Sequence, residues 1–60
     1  MLIRIGDCVR IVGLEITGIV ENIRYDSKGE AIYDIELFNP EETPTGTYIA
    51  RDYELVKEAE

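Results

Sequence analysis

From Ala31 to Phe38 the residues Ala31, Tyr33, Ile35 and Leu37 alternate with Ile32, Asp34, Glu36 and Phe38. A period of two places each set on its own face of an extended chain, so this stretch predicts a strand with one side on a core. Ile3, Ile5, Val9 and Ile11 share a parity in the same way, with Arg4, Cys8 and Arg10 between them. The first strand is therefore expected from about Asp7 to Val12. Ile16 to Tyr25 is rich in β-branched residues and reads as a second strand. Its parity slips, because Ile16, Gly18 and Val20 are even whereas Ile19, Ile23 and Tyr25 are odd. A bulge or sharp bend between Gly18 and Asn22 would reconcile the two sets.

Asp26-Ser27-Lys28-Gly29 is a turn signal between two strand-like runs and predicts a β-hairpin, with Ala31 to Leu37 as the central strand. Asn39 to Gly46 contains both prolines and no large apolar residue, which predicts a surface loop. Thr47 to Ala50 reads as a fourth strand, Arg51-Asp52-Tyr53 as a tight or 3₁₀ turn, and Glu54 to Lys57 as a fifth strand. Residues 58–60 are expected to fray as an acidic tail. The expectation is one all-β domain over residues 1–57: a small five-stranded antiparallel SH3-like barrel with a one-turn 3₁₀ helix before its last strand. Such a barrel manages its sheet edges by curling closed.

Sixty residues bury only about 60% of the surface that the unfolded chain exposes, so stability is thin. The staples that small domains use are missing: one cysteine cannot form an internal disulfide, and with no histidine there is no Cys/His zinc cluster. No metal and no cofactor is expected. The unpaired Cys8, and a start that lacks the basic region and apolar run of an export signal, point to a cytoplasmic setting. The apolar runs fall far short of the ~20 residues that span a membrane.

The net charge is −7 and unevenly spread. Residues 1–29 hold four bases and four acids, whereas residues 30–60 hold two bases against nine acids. Phosphate backbones are bound chiefly through Lys and Arg, so nucleic acid is an unfavoured partner for this chain.

Gly6-Asp7-x-Val9-x-Ile11 followed by Gly18-x-Val20-x-x-Ile23 resembles the KOW-type domains of ribosomal and transcription proteins, within the SH3-like barrel group. Val9-Arg10-Ile11, Gly18-Ile19-Val20, the Tyr33 to Leu37 strand and the Ala50…Glu54-Leu55 ending are similar to the small SH3-like stromal subunits of photosystem I. The first resemblance implies nucleic-acid binding, and the second a non-catalytic docking barrel.

No catalytic residue is expected. Cys8 has no histidine to act as its base and reads as a small apolar filler on a strand. Ser27, the one serine, serves the predicted turn. Asp34 and Glu36 lie about 7 Å apart on one strand face, but acid–base hydrolysis of a sugar also needs a deep cleft. Glu41-Glu42 lacks the alternating oxygen ligands and glycine of a calcium loop. The aromatic residues carry more information. Tyr25, Phe38, Tyr48 and Tyr53 fall beside the predicted hairpin, long loop and 3₁₀ turn, where an SH3-like barrel would bear a ligand shelf. Tyrosine suits such a surface, with a rigid apolar face and a hydroxyl that tolerates water. Glu41, Glu42, Asp52 and Glu54 would give that shelf an acidic rim. These residues point to a non-enzymatic module that binds a basic protein or assembles with its own copy. The competing expectations are a nucleic-acid-linked role, through Arg4, Arg10, Arg24 and Lys28 or through an acidic phosphate mimic, and an accessory subunit of a larger enzyme.

Overall fold

A computed structural model describes residues 2–38 and 44–58. It contains five strands, β1 (Cys8–Ile11), β2 (Ile16–Tyr25), β3 (Ala31–Phe38), β4 (Pro44–Arg51) and β5 (Leu55–Lys57), with a 3₁₀ turn, Asp52–Glu54, before β5. All pairings are antiparallel, and the strands form one five-stranded sheet in the order β4-β3-β2-β1-β5.

The register sorts the side chains into rows. Lys57, Val9, Gly18, Leu37 and Gly46 form one inward row across all five strands; Val20, Ile35 and Tyr48 form the next, followed by Ile23, Tyr33 and Ala50. Leu55, Ile11 and Ile16 make the row at the other end. Ile3, Val9, Ile11, Val20, Tyr33, Ile35, Ala50 and Leu55 are the buried core, with Ile23, Ala31, Leu37 and Tyr48 packed against it. The opposite face carries Cys8, Ile19, Glu36 and Thr47 in one row, Asn22, Asp34 and Ile49 in the next, then Arg24, Ile32 and Arg51.

The expected parity slip in β2 is a β-bulge: Val20 faces Ile35 and Asn22 faces Asp34, leaving Glu21 as the extra residue. The bulge returns Ile23 and Tyr25 to the face that Gly18 and Val20 occupy. At Gly18 the approach of β3 leaves no room for a side chain on β2. A Cβ there would lie 2.5 Å from the Glu36 carbonyl oxygen and 2.6 Å from the Ile35 Cγ2.

The hairpin after β2 forms as its sequence predicts. The Asp26 N–H donates to the Glu30 carbonyl and the Gly29 N–H to the Asp26 carbonyl, both at 3.0 Å. Asp26 Oδ1 accepts the N–H groups of Lys28 and Glu30 at 2.8 and 3.0 Å. Gly29 takes a φ of +81°, which glycine adopts without a steric penalty. The Asp26–Glu30 bond also sets the phase of the ladder. Because paired residues alternate, Ile32, Asp34 and Glu36 turn their backbone groups toward β2, and Tyr33, Ile35 and Leu37 turn theirs toward β4. In β4, Gly46, Tyr48 and Ala50 then bond to β3, while Thr47, Ile49 and Arg51 direct N–H and C=O to the free side.

Several expectations need correction. The central strand is β2, with β3 one place from the β4 edge; clear alternation in β3 reflects one wet face, not a central position. Pro44 to Gly46, expected in the loop, already belong to β4, where Pro44 faces Phe38 across an irregularity. A proline at the first residue of an edge strand removes no ladder bond. Ile5 does not share the buried face of Ile3. The Arg4 and Asp7 N–H groups bond to the Asp7 carboxylate and the Arg4 carbonyl, and the resulting turn leaves Ile5 62% exposed while Ile3 is buried. Cys8, expected as a small apolar filler on a strand, is exposed; it lies between Val9 and Ile11, which take the inward positions of β1. Glu58, expected in a frayed tail, is tied back: its N–H bonds the Cys8 carbonyl at 2.9 Å.

Candidate functional site

The hairpin and the 3₁₀ turn meet at one end of the sheet, and their side chains are wired together. Arg51, the last residue of β4, places Nη1 2.6 Å from Asp26 Oδ2 and 4.0 Å from Glu30 Oε1. Its own N–H donates to Glu54 Oε2 at 3.0 Å, so Glu54 closes the turn through a capping box. The Arg51 hydrogen bond, with the Glu30 N–H next, holds the Asp26 carboxyl below its ordinary range. The same contact raises Arg51. An acid inside the hairpin is thus used to anchor the turn that leads into β5.

At the same end lie aromatic residues, with Tyr25 and Tyr33 on the inward side of the sheet and Arg51 in the outer row. Tyr25 continues the inward row of β2 past the last core layer, opposite Ala31, and is 69% exposed. Tyr53, at the middle of the 3₁₀ turn, is 80% exposed. Tyr33, on β3 beside the β2 strand of Tyr25, is buried, and burial raises its phenol above the usual range, with the charge of Asp52 and the Tyr25 phenol adding to the shift. Asp52 and Tyr25 thus both lie near enough to Tyr33 to act on its phenol. Asp52 is exposed and takes no part in the ion pairs of the described residues.

The other predicted shelf residues are dispersed. Phe38 is at the far end of β3, seven residues from Ala31 and so about 23 Å from the Tyr25 row at about 3.3 Å per residue. Tyr48 points inward opposite Ile35 and packs against the core. Glu54 spends its carboxylate on the Arg51 N–H. Glu41 and Glu42 lie outside the described residues. What the structure gathers at one end is Tyr25, Tyr53 and Asp52. It adds Tyr33, Arg51 and Asp26, which were not among the expected shelf residues; the turn signal at Asp26 and a base directly before Asp52, one of two in the acidic half, were the marks of the latter two.

Elsewhere on the surface, charges are largely paired. Arg24 grips Asp34 with two hydrogen bonds of 2.8 and 3.1 Å, which lower the Asp34 carboxyl and raise Arg24. Arg10 reaches Glu15 at 3.2 Å and Glu58 at 3.6 Å, and Lys57 reaches Asp7 at 3.3 Å. The Arg4 N–H and then Lys57 hold Asp7 below the usual range, against the upward effect of desolvation. Of the four bases considered for nucleic-acid contact, Arg10 and Arg24 are engaged in this way. Among the described residues no group of three His, Cys, Asp or Glu side chains is arranged to hold a metal ion. No helix among the described residues is long and apolar enough to cross a membrane.

No protein-family model, curated protein or solved structure matches this chain.

Proposed function

We propose that this chain is a non-enzymatic protein-binding or assembly module, built as a small SH3-like barrel, whose hairpin and 3₁₀ end receives a basic segment of a partner protein. The strand order, the long bulged β2 and the 3₁₀ turn before β5 support the barrel. The single observation that supports the binding surface is the exposure of Tyr25 and Tyr53 beside Asp52, on a clasp already rigid through Arg51 and Asp26. Two tyrosine rings left in water on a pre-ordered scaffold lose little freedom when covered, and an adjacent carboxylate favours a lysine or arginine over either ring. The internal Arg51–Asp26 pair shows that this end already accommodates a guanidinium.

Capture from a cell lysate by immobilised wild-type chain and by a Tyr25→Ala/Tyr53→Ala/Asp52→Lys variant tests the reading. The variant is checked first for an unchanged far-ultraviolet circular dichroism spectrum. Basic proteins held by the wild type and released by the variant are expected; an identical set held by both would refute the site.

A further inference from the structure

The free side of β4 carries a pattern that its own sequence can complete. By the phase of the ladder, Thr47 and Ile49 direct N–H and C=O away from β3, and among the described residues neither makes a backbone hydrogen bond on that side. Arg51 shares the direction, but its N–H is already given to Glu54. The side chains of Thr47 and Ile49 are exposed, Ile49 to 61%. This is the longer of the two sheet edges, eight residues against three for β5. From Pro44 to Arg51 it holds no acid, in a chain of net charge −7. Edges of this kind are usually blunted by a charge, a proline or a bulge; here Pro44 and the irregularity beside it lie at one end and Arg51 at the other, leaving Gly46 to Ala50 without any of the three.

We propose that two copies of the chain pair antiparallel through β4 about a two-fold axis at Ile49. In that register Ile49 faces Ile49 of the second copy, and Thr47 faces Arg51 of the second copy, twice by symmetry. All of these residues direct backbone groups outward, so the two Ile49 residues exchange two hydrogen bonds. The two Thr47 N–H groups donate to the Arg51 carbonyls, and the Glu54 cap stays in place. No like charges meet along the seam, and the exposed isoleucines cover one another. A register shifted by two residues toward the N-terminus, about Thr47, would set Ile49 against Thr45 and leave the isoleucines uncovered. A second copy therefore fits this edge through its own side-chain order. The remaining opposition is the net charge that each copy carries, which salt screens over about 10 Å at 0.1 M and about 3 Å at 1 M. The seam adjoins the tyrosine end at Arg51, but it turns on Ile49, which that end does not use, so the Ile49 variants test the pairing without touching Tyr25, Tyr53 or Asp52.

Sedimentation equilibrium across a concentration series tests the pairing, together with a cross-linking pair in a Cys8→Ser background. Paired residues of this type have Cα atoms about 5.5 Å apart, within the span of a disulfide. Ile49→Cys is expected to give a covalent dimer under mild oxidation, whereas Glu21→Cys, on the β2 bulge, stays monomeric. The wild type is expected to move toward twice the monomer mass as concentration and salt rise, and Ile49→Lys to lose that association with its circular dichroism unchanged. A monomer at every concentration and salt, equal cross-linking at positions 21 and 49, or a dimer that survives Ile49→Lys would overturn the proposal. So would association that weakens with salt, or a lysine-alternating β-peptide binding the edge of a chain that remains monomeric.

Discussion

Gly18 is the residue on which the close approach of β2 to β3 turns. Its φ is unexceptional, so the requirement is space: the missing Cβ would sit 2.5 Å from a backbone oxygen that cannot swing aside. Gly18→Ala is therefore expected to destabilise by about 1–3 kcal/mol, the usual cost of overpacking. For a domain of this size that lowers the melting temperature by roughly 4–8 °C per kcal/mol. Thermal unfolding followed by circular dichroism measures it, and an unchanged melting temperature would mean that the strands are farther apart than described. The sequence showed Gly18 as a parity anomaly but not which strand pressed on it, because close approach is a property of the pair. Cys8 differs: alternation already set it off the parity of Val9 and Ile11, and that position is the exposed one.

Between elements, the Arg51–Asp26 clasp joins the β2–β3 hairpin to the turn that feeds β5. Residues 25 positions apart are tied by it, so it does more than an ion pair within one helix or hairpin. Asp26→Asn keeps the side-chain oxygen that accepts the Lys28 and Glu30 N–H groups but removes the charge facing Arg51. Faster amide exchange at residues 52–57 than in the wild type, with the hairpin amides little changed, is the expected outcome; uniform acceleration over the chain would show instead that the hairpin itself had failed. The strand content and the 3₁₀ turn were legible from alternation and turn residues, and β2 was read to its residue limits. The strand order was not, since Ala31 to Phe38 alternates as cleanly one place from the edge as it would at the centre. Nor could the scatter of the aromatic shelf be read, because Tyr25 and Phe38 occupy opposite ends of a ladder whose register the sequence does not print.

For the whole molecule, the paired carboxylates set the response to pH. Asp7, Asp26 and Asp34 all have folded values below the ordinary aspartate value. Each therefore binds protons less readily folded than unfolded, so its contribution is fully present above about pH 4 and is lost as pH falls through the folded values. Tyr33 is shifted the other way; its contribution is complete below about pH 10 and is lost as pH rises past its folded value. Urea midpoints are expected to be level from about pH 5 to 8 and to fall on both sides, with Asp26→Asn flattening the acid limb and Tyr33→Phe the alkaline one. An acid limb unaffected by Asp26→Asn would show that the clasp adds nothing to folding.

The binding reading is tested most directly by amide chemical shifts of the isotopically labelled chain, titrated with the basic partner recovered in the capture experiment. Perturbations concentrated at residues 24–33 and 51–54 are predicted, fading toward Phe38 and the β1–β2 loop. Shifts centred on that loop or on Phe38, or a spectrum that does not move at saturating partner, would contradict it.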